Sequence, residues 1–245
     1  MIVETPPAPR RAREKAPRPT PRPDRSFYSS GKAFGRFGIR SFAPQIMPRP
    51  HSHGHIEFNW LTRGSMGYVF DGGPVTVGSG RLVAFWAGIP HQTVGLSDIE
   101  GGRQLNIYLP MDAFLEMPQL GRLTETLMGG GVIQLNPDCI GLETLDRWHQ
   151  DYRSGNALRT DIVRSEIGTM FRRAAITGWD TLLPAWIERS GPRTRTGSPV
   201  RYVVRMVRHI VENITDPLGA EDIARVVGLH PNYATNLFTK VMHIS

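Results

Sequence analysis

The chain has 245 residues, 40% of them hydrophobic and 21% charged, with a formal net charge of +7. That is enough for one or two domains with a real core, and no run of about eighteen apolar residues is present to cross a membrane. The single cysteine, Cys139, excludes an internal disulfide and fits a reducing cytoplasm, while the Pro/Arg-rich start lacks the apolar stretch of a secretory signal.

Seven of the Lys/Arg and three of the Asp/Glu fall in residues 1–25, so four of the seven net charges belong to that segment. It has almost no large apolar side chains and is expected to be a disordered tail, because it buries too little to offset its ordering entropy. From Phe27 to Leu109 short β-like runs alternate with Gly, Pro and Asp. Ile56–Leu61, Gly67–Phe70, Val75–Val77, Arg81–Trp86 and Gln104–Leu109 read as strands, with Asp71-Gly72-Gly73-Pro74 as a hairpin turn. Many short strands predict a small antiparallel barrel or jelly roll.

After Pro110 the period changes. Cys139–Arg153 and Leu158–Thr177 carry apolar residues three and four apart and predict two antiparallel helices joined near Ser154-Gly155-Asn156. In the second helix Ile162, Ile167, Met170, Phe171 and Ala174 form the expected buried stripe. The polar, Gly/Pro-rich segment 189–199 reads as a linker. The expected organisation is a tail over 1–25, a β-rich domain with C-terminal helices over 26–188, the linker, and a helical domain over 200–245.

Residues 220–237 carry the sharpest local pattern. Ala220–Val227 predicts a short helix, Gly228 supplies the left-handed residue that ends it, and Pro231 suits the first turn of a second helix. Ala224 is small enough for two helices to cross closely. On the second helix Ala234, Leu237, Phe238 and Val241 form an apolar face, while Asn232, Thr235 and Asn236 form a short polar one, with Lys240 beyond. A helix-turn-helix presents such a face to the major groove, where Asn pairs with adenine and Thr meets a thymine methyl. A helical hairpin with a solvated polar face is the plainer alternative.

Ile223-Ala224, Gly228-Leu229, Pro231-Asn232-Tyr233 and Leu237-Phe238 resemble the first helix-turn-helix of AraC-family regulators. His51-Ser-His-Gly-His55-Ile-Glu57, Phe85-Trp86-Ala87, Pro90-His91-Gln92 and Leu109-Pro110-Met111 extend the resemblance over roughly 30–245. It implies an α+β protein, with a cupin-like antiparallel β-barrel and flanking helices followed by a helix-turn-helix domain. It further implies promoter DNA, a small sugar effector such as an α-galactoside, a homodimer, RNA polymerase as a partner, and a cytoplasmic location. Gly219 stands where the family has Ser or Thr as helix cap. The family has two helix-turn-helix units; the sequence ends at Ser245, just past the first, so weak and salt-sensitive DNA binding is expected.

His51 and His53 share strand parity with Glu57. With Gly64, Gly80, Gly88 and His91 they resemble the two cupin motifs, although Trp86, Gly95 and Gln45 depart from the pattern. Three imidazoles and a carboxylate converging in a barrel would hold Fe, Mn, Ni or Zn; the same groups would equally hydrogen-bond a sugar. His55 has inward parity too, with a surface position near a strand end as its alternative. Trp60 and Trp86 are candidates to stack on a sugar or to fill the core. Ligand-binding candidates are therefore His51, His53, Glu57, Trp60, Trp86 and His91. Three readings follow: a ligand-responsive regulator of carbohydrate genes without enzymatic activity or cofactor, a metal-dependent cupin enzyme, and a sensor-only fragment.

Overall fold

A computed structural model describes residues 36–70, 73–117, 121–185, 199–213 and 217–242. The predicted tail, most of the linker and the Asp71-Gly72 corner lie outside the described residues. Among the described residues nine strands form two antiparallel sheets. β1 (Gly38–Phe42), β7 (Gln104–Pro110), β2 (His55–Leu61), β5 (Leu82–Trp86), β8 (Val132–Leu135) and β9 (Trp179–Leu183) lie side by side in that order. β4 (Gly73–Gly78), β3 (Ser65–Phe70) and β6 (His91–Ser97) make the second sheet. The α+β class and the antiparallel strands agree with the sequence. The expected barrel is a pair of facing sheets instead: among the described residues β1 and β9 remain edges of one sheet, β4 and β6 edges of the other.

Every residue of β2, β5 and β7 is buried, because the large sheet is covered on both faces. Toward the small sheet, Leu61, Val83, Phe85 and Val132 meet Met66, Tyr68, Phe70, Val75 and Val77. Toward the other side, Ile56, Phe58, Trp60, Leu82, Ala84 and Trp86 pack on helices. Those helices are α1 (Met111–Leu115), α2 (Gly121–Met128), α3 (Leu142–Arg153) and α4 (Ala157–Thr177).

The predicted helix from Cys139 begins as a 3-10 turn, Pro137–Cys139, breaks at extended Ile140, and resumes as α3. Asn156 caps α4, its side-chain oxygen accepting from the Arg159 amide at 3.2 Å. The buried stripe of α4 is Val163, Ile167, Met170, Phe171 and Ala174. Ile162, expected in that stripe, is exposed instead: it lies one residue, a turn of about 100°, from Val163, and only one of the two can face the sheet.

Three further helices follow: α5 (Pro199–Glu212), α6 (Ala220–Val227) and α7 (Pro231–Met242). α5 packs on α6 and α7 and also on α1 and α2. No described helix is long and apolar enough to cross a membrane.

The corner between α6 and α7 is built from backbone geometry. Gly228 sits at φ 70° and ψ 33°, its amide bonds to Arg225 O, and the Leu229 amide bonds to Ala224 O. This paired 5→2 and 6→1 closure needs a left-handed residue. Nothing lies within 4 Å of where a Gly228 side chain would sit, so Gly228→Ala costs only the conformational term, about 1 kcal/mol, and denaturant titration should read that loss without a change in slope. Gly219 as cap is supported by the Asp222 carboxylate, which accepts the Gly219 amide at 3.0 Å. That bond, and then the Arg225 guanidinium, hold the Asp222 carboxyl below its usual range.

Candidate functional site

A polar cluster lies between the two sheets at one end. His51 pairs with His91 of β6 through reciprocal backbone hydrogen bonds of 3.0 Å. Pairing with Ala87 holds His53 next to the start of β2. Glu57 projects from β2 between the sheets. Ring nitrogens of His51, His53 and His91 all lie within 4.8 Å of one another. Glu57 Oε2 is 3.0 Å from His53 Nε2 and 3.7 Å from His91 Nε2. His53, Glu57 and His91 are buried, and His51 is half-buried at the rim.

The cluster has a defined hydrogen-bonded surround. His55, which the sequence left open to a surface position, is 1% exposed. Its Nε2 donates to the Arg36 carbonyl at 3.1 Å, and its Nδ1 meets His53 Nδ1 at 2.9 Å. His91 Nδ1 donates to Ile89 O at 2.9 Å. Glu57 Oε1 accepts from Asn106 Nδ2 at 2.9 Å. Asn106 in turn contacts Gln104 and Tyr108, and Gln104 reaches Tyr68. With its oxygen accepting from the Tyr68 hydroxyl, Asn59 donates to Glu57 Oε1 at 3.0 Å.

Burial, and then the charge of His91, lowers the His51 imidazole to about 4. Burial, and then His53, likewise lowers His55 to about 4. Both rings are therefore neutral at neutral pH. Burial pushes the Glu57 carboxyl up, but the imidazoles of His53 and His91 outweigh it and hold the group well below the usual carboxylate range. A buried carboxylate facing several imidazoles is a site where hydroxyl-bearing ligands, protons or metal ions can bind.

The structure thus brings His51, His53, Glu57 and His91 together. Trp60 and Trp86 lie apart from them. Both point to the helix-covered face of the large sheet and belong to its core, because Trp60 has the parity opposite to Glu57 and Trp86 the parity opposite to Phe85. Asn59, Tyr68, Gln104, Asn106 and Tyr108 escaped the sequence reading. The signal was present: polar residues recur at every second position in His55-x-Glu57-x-Asn59 and Gln104-x-Asn106-x-Tyr108, inside strands otherwise built from large apolar residues.

Further along the chain, Ala224 and Val227 of α6 and Ala234 and Leu237 of α7 are buried together. Asn232, Thr235, Asn236 and Lys240 are all exposed. Thr235 also borders an apolar groove lined by Met206, Ile210, Ile223 and Phe238. His230, not noticed in the sequence, caps α7 by accepting the Asn232 amide at 3.3 Å. Tyr233, 55% exposed, stands beside the polar face.

A two-sheet domain followed by a tight helix-turn-helix defines a class of sensor-coupled DNA-binding proteins. The chain is 32% identical over 222 residues to the melibiose operon regulatory protein of Escherichia coli strain K12, an alignment covering 90% of this chain and 72% of that protein. The corresponding protein of E. coli O6:H1 strain CFT073 gives the same figures. On this relationship the chain belongs to the AraC family of transcriptional regulators. No family model matches the chain. Among solved structures, ToxT from Vibrio cholerae O395 aligns at TM-score 0.45 and 9% identity, over 87% of this chain and 76% of that one. The AraC-like transcriptional activator CuxR aligns at 0.39 and 13%, over 76% and 60%.

Proposed function

We propose that the protein is a cytoplasmic, ligand-responsive regulator of carbohydrate-utilisation genes that reads promoter DNA with α7. The observation that carries this reading is the exposed Asn232–Asn236 face, standing on a helix whose other side is locked to α6 by Ala224, Ala234 and Leu237. Asn232 and Asn236 are the adenine-reading groups, Thr235 the methyl contact, and Lys240 a phosphate contact. His51, at the rim of the polar cluster, with His53, Glu57 and His91 behind it, receives the effector. The similarity to the melibiose regulator favours an α-galactoside. Its effect on DNA binding equals its differential affinity for the two arrangements of sensor and helix-turn-helix.

Fluorescence anisotropy tests the reading. The probe is DNA from upstream of the protein's own gene, at one fixed salt concentration, with and without melibiose. The expected result is a shift in affinity of roughly five-fold or more. Equal affinities with melibiose and with other sugars would remove the sugar assignment. Equal affinity for the promoter and a scrambled duplex would remove the regulator assignment.

The same reading makes the protein a homodimer through α4. Leu158, Ile162 and Ile176 are 70%, 48% and 86% exposed. They lie four and eighteen residues apart, so all three fall on one helix face. Charged substitutions Leu158→Glu and Ile162→Glu should convert a dimer to a monomer in sedimentation velocity. A wild-type protein that sediments as a monomer across the micromolar range would contradict the interface.

A further inference from the structure

We propose that a cleft between α3 and α4 binds a small aromatic monocarboxylate. The site lies apart from the polar cluster and rests on neither the sugar nor the DNA reading.

The polar cluster sits between the two sheets, whereas this cleft opens in the helix layer that covers the large sheet. Extended Ile140 separates the 3-10 turn from α3, and the cleft lies along this break, against α4. Its volume is about 300 Å³. That is the lower end of the range for ligand pockets, and it suits a single ring with a short side arm. Buried Ile140, Trp148 and Met170 form its apolar interior. A ring seated there leaves water, and the Met170 thioether favours an aromatic body over an aliphatic one.

The mouth is charged. Arg147 Nη2 donates to both oxygens of Glu166, at 3.1 and 3.0 Å, and the Trp148 indole donates to Glu166 Oε2. The Glu166 carboxylate is thereby held within the wall. Arg173 also lines the mouth and forms no ion pair among the described residues. Two guanidiniums against one carboxylate leave a net charge of +1. The Thr144 hydroxyl adds a donor at the same mouth, while the Thr169 hydroxyl is committed to Ser165 O at 3.2 Å. A guanidinium and a hydroxyl donor beside an apolar interior are complementary to one carboxylate on an apolar body. A dianion would bring more charge than this mouth matches.

Cys139, the only thiol of the chain, lines the same cleft, where its Sγ meets the Thr177 hydroxyl at 3.3 Å. Its rate of alkylation therefore reports whether the cleft is filled.

The test uses the full chain and phenylacetate, with acetate and phenylethanol as controls. Titration calorimetry reads affinity, and alkylation of Cys139 by N-ethylmaleimide reads location. The expected result is one phenylacetate per chain, with acetate and phenylethanol each weaker by about tenfold or more. Saturating phenylacetate should slow the alkylation of Cys139. Arg173 is exposed, so Arg173→Ala should fold and sediment as the wild type does. That variant should weaken phenylacetate binding by about 10- to 100-fold and leave phenylethanol unchanged. Folded wild-type protein with no saturable binding at millimolar phenylacetate would overturn the site, and so would equal affinity in Arg173→Ala. Phenylethanol that binds as well as phenylacetate would overturn the carboxylate assignment. Phenylacetate that binds without protecting Cys139 occupies another place, which would also overturn the site. None of these readouts involves sugar or DNA, so their failure leaves the regulator reading standing.

Discussion

Phe171→Ala should cost about 3–5 kcal/mol of stability, the range for removing a fully buried aromatic side chain. Phe171 of α4 is 0% exposed, and its ring centroid lies 5.3 Å from Phe58 of β2 and 5.5 Å from Phe114 of α1. It is the point where the long helix, the first short helix and the central strand meet. Truncation removes its own buried surface and leaves two neighbouring rings facing a void. In a chain of this size the loss corresponds to a fall in melting temperature on the order of 10 °C. In the Leu158→Glu background, where the dimer is broken, Ile162→Ala, one position from the buried stripe, should change stability by less than about 0.5 kcal/mol. Parallel thermal melts of the two variants check the assignment of the faces of α4. A large loss for Ile162→Ala and none for Phe171→Ala would mean the helix is rotated.

The second large effect is on DNA binding. Asn232→Ala and Asn236→Ala should each lower affinity for the specific site by about 1–3 kcal/mol, or roughly 10- to 100-fold, while leaving non-specific binding nearly unchanged. Both side chains are exposed on α7 and are not part of the core, so folding should be preserved. Lys240→Ala should behave differently, weakening binding to all sequences alike and reducing the salt slope by about 1. Anisotropy titrations at several salt concentrations separate the two classes. A uniform loss from the asparagine variants would make them phosphate contacts and leave the base-reading assignment without support.

Much of this fold is legible in the sequence, and the gaps have physical causes. β2, β3, β4, β5 and β7 are visible because they are rich in β-branched and aromatic residues between turn signals. β1 and β9 are edge strands with half-exposed or polar residues, Arg40-Ser41 and Asp180-Thr181. β6 carries Gly95 beside a register shift in its pairing with β3. Composition does not distinguish such strands from loops. Closure into a barrel was not readable at all, since hydrogen bonds between sequence-distant edges leave no local pattern. The helix-turn-helix was readable residue by residue because its geometry depends on single positions: a small residue at the crossing, glycine at the corner, proline at the restart.

The polar cluster was half legible. Strand parity places His51, His53 and Glu57 on one face, the motif resemblance supplies His91, and the structure brings His91 to them across the sheets. The same parity rule separates Trp60 and Trp86 from them. Their size suggested ligand stacking, but β2 and β5 are buried on both faces, so hydrophobicity alone could not tell which layer each ring enters.

The central claim is that the outward face of α7 reads base sequence, and selection from random-sequence duplexes at low salt measures this without a chosen operator. The predicted result is enrichment of a short motif containing adenine, lost in the Asn232→Ala, Asn236→Ala double variant. Wild-type protein that enriches no motif, or a motif that the double variant enriches equally, would contradict it.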